Sequence, residues 1–297
     1  MRLRIFFVLV LVFVLPLLAV SAQADGVLPT QLASFAVLGA STVTNTGSTT
    51  LVSGNVGVDP GSAIVPGSIG FTFAGPSPGT SIVNGIANTA QTQLDTAMGL
   101  LGGLATSGSP ILGGVLNGLT LTQGVYALSA APGNGGFNLS TGGVLTLDAQ
   151  GQTNPFWVFQ ASSTLVTGSN SVVQFINAPS VGFNPGVYWN VGSSATLGTN
   201  STFQGNILAE ISVGLTTGAI IGCGRALADT GAVTMDTNTI STGCNGSLSV
   251  SSGGVVIGPG GTPLATPEPG TFALLSSGLL GMVFLAFRKP RVSSLSC

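Results

Sequence analysis

Histidine is absent from the 297-residue chain, and charged side chains nearly so: Asp, Glu, Lys and Arg make up 5% of it, against about 25% in an ordinary soluble domain. Without imidazole, a Ser-His-Asp triad, a Cys-His pair and any zinc site with a histidine ligand are excluded within the chain. Six Lys and Arg residues in all cannot form the clustered basic surface that follows phosphates, which excludes nucleic acid as a partner. Disorder of the highly charged kind is excluded too. Such chains combine low hydrophobicity with high net charge, whereas this one is 44% apolar with a formal charge of −2. Two cysteines in the body of the chain, Cys223 and Cys244, and no histidine argue against a metal site. Nothing in the composition asks for a cofactor.

The few charges that are present mark the ends. Arg2 and Arg4 precede an apolar stretch from Ile5 to Val20, and Ser21-Ala22-Gln23-Ala24 follows. This is the pattern of a secretory signal over residues 1–24 with a small-x-small cleavage site. Near the other end, Thr271 to Phe287 is a second apolar segment closed by Arg288-Lys289-Pro290-Arg291. Seventeen residues is the lower limit for a bilayer helix, and the basic cluster marks a cytoplasmic end. Five of the six basic residues therefore serve targeting. Residues 25–269 keep Arg225 against eight acids, a formal −7. Cys223 and Cys244 suit an oxidising compartment, either as a disulfide or as two buried thiols. Cys297 belongs to the tail.

Pro267-Glu268-Pro269, followed by the apolar segment and the short Arg-rich end, resembles the PEP-CTERM sorting signal of Gram-negative bacteria. The resemblance covers residues 267–297. It implies an exosortase-type enzyme as a partner, transient anchorage at 271–287 in the inner membrane, and release or transfer to the cell surface or beyond. A plain membrane anchor is the alternative.

Between these ends the texture changes twice. Residues 25–83 carry short alternating runs, such as Phe35 to Gly39 and Thr42 to Asn45, that read as strands between turns. From about 84 to 106, Ile86, Ala90, Leu94, Ala97, Leu101 and Leu104 fall at helical spacing without a proline, predicting one amphipathic helix. Strand patterns resume from Leu119 to Ser241, and residues 245–266 read as a Gly/Ser/Pro linker.

The later strand region repeats. Thr164-Leu165-Val166-Thr167, Thr196-Leu197-Gly198-Thr199, Gly214-Leu215-Thr216-Thr217 and Thr234-Met235-Asp236-Thr237 superpose about a central apolar residue. Another strand precedes each copy. Three short strands per period of about 20 residues is the signature of a β-solenoid. The low charge follows, because like charges stacked about 4.8 Å apart on successive coils would repel, and outward ladders favour Thr, Ser and Asn. A two-sheet sandwich would also suit short strands, but it does not predict the repeat.

With Leu165, Leu197, Leu215 and Met235 inward, strand alternation turns their neighbours outward. Thr164, Thr167, Thr196, Thr199, Thr216, Thr217, Thr234 and Thr237 then become candidates for an uncharged face of regular hydroxyls and methyls. β-Branching fixes each rotamer, and a hydroxyl holds a water in place. A lattice of such groups can order water in an ice-like pattern. Thr also has high strand propensity on any exposed ladder.

Leu32 to Leu38 with Ser41-Thr42-Val43-Thr44-Asn45-Thr46-Gly47, then Gly54 to Gly61, Leu121 to Tyr126, Leu145 to Ala149, Val191 to Gly198 and Gly224 to Ala228, resemble in order the microbial ice-binding protein family. The resemblance spans about residues 27–244. It implies a mostly β fold, a right-handed discontinuous β-solenoid over 25–244 with one long α-helix packed alongside. It also implies a non-enzymatic protein whose partner is ice, met on one flat solenoid face with Thr-x-x-Thr-like ladders. Thr164/Thr167, Thr196/Thr199 and Thr234/Thr237 match that pattern. Gly214, Val166 and Asp236 depart from it, and a hydrated carboxylate at Asp236 would disturb ordered water.

Two rivals stand beside this reading. Asp229-Thr230-Gly231 resembles the loop of aspartic proteases, in which two carboxylates share a proton, but it occurs once. An exported adhesive or matrix protein that binds polysaccharide would suit the tail equally well.

Overall fold

A computed structural model of the chain describes residues 27–65, 70–128, 135–244, 255–257 and 263–265. The signal stretch 1–24, the Pro267-Glu268-Pro269 motif, the apolar segment 271–287 and Cys297 lie outside these residues. Among the described residues no helix is long and apolar enough to cross a membrane.

The body is a stack of three-sided coils whose strands pair in parallel with the coils above and below. One side, the covered face, runs through β7 (Gly124–Ala127), β10 (Phe156–Ala161), β13 (Gly186–Val191), β16 (Asn206–Ala209), β19 (Ala226–Ala228) and β1 (Phe35–Gly39). The second, the threonine face, is a seven-stranded sheet. It runs in the order β8 (Phe137–Leu139), β11 (Leu165–Thr167), β14 (Ala195–Leu197), β17 (Val213–Leu215), β20 (Val233–Met235), β2 (Thr42–Asn45) and β4 (Ala63–Val65). The third, the glutamine face, comprises β6 (Thr120–Leu121), β9 (Val144–Asp148), β12 (Val172–Ile176), β15 (Thr202–Gln204), β18 (Ile220–Gly222) and β21 (Thr239–Ser241). β3 (Thr50–Val58) and β5 (Phe71–Val83) turn the corner from the glutamine face to the covered face without a break and join the two into one sheet. At that corner Gly54 has φ 127°, a conformation L side chains rarely adopt.

The order of coils along the stack is not the order of the sequence. The amino-terminal coil β1–β2–β3 lies on the last coil β19–β20–β21, with Val37 against Ala226, Val43 against Val233 and Ile240 against Val52. The solenoid is therefore discontinuous, as the resemblance implied, and three strands per coil rule out the sandwich.

Inward columns fill the prism. On the covered face one register column runs Tyr126, Phe159, Trp189, Ile207, Ala226 and Val37. Its aromatic end is stacked, with Phe159 and Trp189 at 3.8 Å and 7° between ring planes and Phe137 edge-on to both. Both buried indole N–H groups find partners: Trp157 donates to Leu121 O and Trp189 to Gln204 O, each at 3.0 Å.

The predicted helix over 84–106 forms as α2 (Ile86–Gly102) and lies on the covered face. Ala87, Ala90, Leu94, Ala97, Met98 and Leu101 bury against Leu38, Val125, Val158, Tyr188, Leu208 and Leu227. Ile86, expected on that stripe, is 53% exposed, and Ala87 takes the buried place at the first turn. The sheet also donates to carbonyls in the last turn of the helix and just beyond it. Gln160 Nε2 donates to Leu101 O at 2.7 Å and to Leu104 O at 2.9 Å, and Asn190 Nδ2 to Met98 O at 3.0 Å.

Arg225, the one base of the body, is fully buried. Its guanidinium donates to Ala33 O at 2.7 and 3.2 Å, from the short helix α1 (Thr30–Ala33), and to Asn206 Oδ1 at 2.8 Å. It thus ties the amino-terminal segment to β16 across the discontinuity. Burial pulls its pKa down to about 10, while Tyr188 opposes the shift.

Residues 245–266, expected as a linker, include an antiparallel pair, β22 (Val255–Ile257) with β23 (Pro263–Ala265).

Candidate functional site: the threonine face

Two sides of the prism are open. On the glutamine face the outward column Thr146, Gln174, Gln204, Gly222 and Ser241 includes two long, many-rotamer amides. On the threonine face the central outward column is shorter in reach: Asn138, Val166, Thr196, Gly214, Thr234, Thr44 and Val65, each in register with the next. Beside it, one alternation earlier, stand Thr164, Ser194, Ser212, Ala232, Thr42 and Ala63, and one later Thr216, Asp236 and Thr46. These are branched or short side chains on a parallel sheet, where neighbours repeat about every 4.8 Å across strands and about 6.6 Å along them. Among the described residues of this face, Asp236 is the one charged side chain.

The structure redistributes the predicted threonines. Thr196 and Thr234 occupy the central column as expected, and Thr216 stands exposed beside it. Thr216 Oγ1 donates to Leu197 O at 2.8 Å on the neighbouring coil and lies 3.3 Å from Thr199 Oγ1. Thr164 sits half-buried at the margin, one residue before β11.

Thr167 is a correction. The copy beginning at Thr164 pairs two residues away from the register expected of it, with Leu165 on Ala195 and Val166 on Thr196. A shift of two keeps inward residues inward, but it puts Thr167 at the inward position of Leu197, where it is 3% exposed. There its hydroxyl accepts from Gly198 N at 3.0 Å. The shift has a packing cause. Leu165 packs between Phe137 and Ala195, and the inward alanine gives no leucine to match.

Thr217 and Thr237 belong to the corner rather than the face. The last coil has one residue fewer than its neighbour between the threonine face and the glutamine face, since Gly214 pairs with Thr234 but Ile220 with Thr239. Thr237 accordingly falls in the left-handed turn position, at φ 56°, where other coils have Asn170, Asn200 and Gly218. None of the three Thr-x-x-Thr matches keeps both residues on the face, since Thr199 is the register counterpart of Thr217 at the corner.

Asp236 is less disruptive than a free carboxylate would be. It is half-buried at the first corner position, one oxygen accepting from the Thr217 hydroxyl and the other from Thr237 Oγ1 at 3.1 Å. Its backbone N–H donates to Asn238 Oδ1 at 2.6 Å. The two corner hydroxyls are turned toward the carboxylate.

Residues that the repeat did not assign to the face are Thr42, Thr44 and Thr46, on the amino-terminal coil. Their Thr-x-Thr-x-Thr alternation is visible in the sequence, but only the coil order places them beside Thr234.

At the opposite corner from this face, Cys223 and Cys244 are joined as a disulfide with Cα atoms 4.4 Å apart. The Asp229-Thr230-Gly231 loop forms the corner between β19 and β20. Burial, and then the charges of Glu210 and Asp95, push the Asp229 pKa up to about 6. Among the described residues no group of His, Cys, Asp and Glu could hold a metal ion.

Three-sided coils stacked out of sequence order, a helix laid on one side and a short-chained hydroxyl sheet on another define a helix-flanked discontinuous β-solenoid. A family model described as Ice-binding-like matches residues 37–241, and a PEP-CTERM protein-sorting motif matches residues 265–289. An ice-binding protein of Nostoc sp. (strain HG1) is 42% identical over 264 residues, covering 86% of this chain and 84% of its own length. The crystal structure of an ice binding protein from an Antarctic biological consortium has a TM-score of 0.61 at 34% identity, over 73% of this chain and 90% of that one. That of the Antarctic ascomycete Antarctomyces psychrotrophicus has a TM-score of 0.60 at 34% identity, over 71% and 95%. The chain belongs to the Ice-binding-like family.

Proposed function

We propose that this chain is an exported protein that adsorbs to ice through its threonine face and so inhibits ice growth or recrystallisation. The observation that carries the reading is the continuous column Val166, Thr196, Gly214, Thr234 and Thr44 on one sheet of constant spacing. Fixed methyls and hydroxyls at a regular interval hold first-shell water in a repeating pattern, which an ice plane can adopt without reorganising it. Adsorption at many points then pins the advancing crystal. Family membership and the ice-binding relatives support the same function, which needs no catalysis and no cofactor. The PEP-CTERM match supports export and surface sorting in a Gram-negative bacterium. In this reading residues 1–24 are the signal peptide, 25–244 the solenoid domain, 267–297 the sorting signal read by an exosortase-type enzyme, and 271–287 a transient inner-membrane anchor.

Purified chain added to polycrystalline ice should suppress recrystallisation and shape a single crystal. Thr196→Tyr and Thr216→Tyr should each abolish this while the circular dichroism spectrum stays unchanged. Wild-type protein that neither suppresses recrystallisation nor shapes a crystal overturns the reading in favour of a matrix or adhesive role. Unaltered activity in both variants moves the site to the glutamine face.

A further inference from the structure

Both ends of the solenoid leave it on the side away from the threonine face. Val27 and Leu28 are buried with α2 on the covered face. Cys244 follows β21 and is bonded to Cys223, which stands between β18 and β19. Both cysteines thus lie at the corner between the glutamine face and the covered face, the corner opposite the threonine face. Beyond Cys244 the chain continues toward the sorting motif matched at 265–289.

The bond also sets where a pull on that continuing chain would act. It closes a loop of sequence separation 21 around the whole last coil, β19–β20–β21. Without it, tension from residue 245 onward would enter through β21, which is held by short ladders to β18 and β3. Peeling β21 would draw out β20, and with it Thr234 and the ladder on which β2 places Thr44. With the bond, tension crosses from Cys244 to Cys223 and enters the stack at the junction of β18 and β19, so that β21 cannot be peeled by itself. The last coil, whose β20 is the fifth of the seven strands of the threonine face, is then closed into a loop and cannot be drawn out from its carboxy-terminal end.

We propose that the protein works as a tethered ice-holding module: the carboxy-terminal segment attaches it, the threonine face is presented outward, and the Cys223–Cys244 bond carries the load between them. This rests on the ice-adsorption reading above and adds the attachment and the force path to it.

The test uses the full chain with a biotin-accepting tag after Cys297, expressed in a host that lacks the sorting enzyme and captured on streptavidin-coated beads. The beads settle on an ice surface in a flow cell, and the fraction retained is read as shear rises. Three samples are compared: the unaltered chain, the Cys223→Ser/Cys244→Ser double variant, and a chain captured through a biotinylated residue placed at Gln174 on the glutamine face. The double variant should match the unaltered chain in recrystallisation inhibition when free, yet lose its beads at a shear that the unaltered chain withstands. Gln174-captured beads should also be lost at lower shear, because the threonine face then lies sideways. Equal retention of the double variant, with equal activity when free, overturns the load path. Where the double variant fails to fold, the Gln174 comparison decides: retention as good as through the carboxy-terminal tag overturns the proposal. Free unaltered chain without recrystallisation inhibition brings down the ice-adsorption reading instead.

Discussion

Gly214 is the gap in the central column, and it is a gap that the backbone does not require. A Cβ added there meets Thr234 Oγ1 at 3.6 Å and Thr196 Oγ1 at 3.9 Å, ordinary contacts, and its φ is not in the left-handed range. Gly214→Thr should therefore complete the ladder without strain. Taking the added contact as worth one buried methylene, about 0.8 kcal/mol, the concentration needed for half-maximal recrystallisation inhibition should fall about fourfold. A rise instead would mean that the notch itself seats an ordered water that the face uses. A second residue-scale expectation concerns Asp229. Its folded pKa of about 6 lies above the ordinary aspartate value, so the folded state binds an extra proton in the interval between the two. Stability from this group is present at low pH and is lost as pH rises through about 6. The melting temperature should accordingly be higher near pH 5 than near pH 7, and Asp229→Asn should flatten that slope. A slope unchanged in the variant would mean that Asp229 is not its source.

At the scale of elements, α2 and the threonine face are on different sides of the prism and can be perturbed apart. Leu94 is fully buried between the helix and the covered face. Leu94→Ala should cost about 2–5 kcal/mol and lower the melting temperature by roughly 5–15 °C, yet leave recrystallisation inhibition near 0 °C intact. Loss of inhibition in the folded variant would mean that the helix shapes the opposite sheet. The sequence made this helix legible because its apolar spacing is local, and it made the strands legible because each coil repeats Thr and Gly at its corners. Register was harder. A period that varies from coil to coil allowed the Thr164 copy to slide by two, and only the packing of Leu165 between Phe137 and Ala195 fixes it. The shortened corner that takes Thr237 off the face was equally hidden, since it is a count of residues between two pairings and leaves no mark in composition.

For the whole molecule, the order of coils makes Thr42, Thr44 and Thr46 continuous with Thr234. Thr44→Tyr should consequently abolish recrystallisation inhibition as fully as Thr196→Tyr, although the two positions belong to opposite ends of the sequence. Retained activity in the Thr44 variant would confine ice contact to the carboxy-terminal coils. This neighbourhood could not be read from the repeat, because strands of one plane carry no sequence label saying which end of the stack they join. The same arrangement bears on how the chain reaches its folded state. The contact between Thr46 and Met235 joins residues 189 apart: β1 and β2 pair on one edge with the nearby β3 and β4, but their other edge has no partner until almost the entire domain has emerged. Pairings of such long range are slow to form. For a chain exported across a membrane before it folds, this delay leaves one edge of the first coil open until the last coil has arrived on the same side.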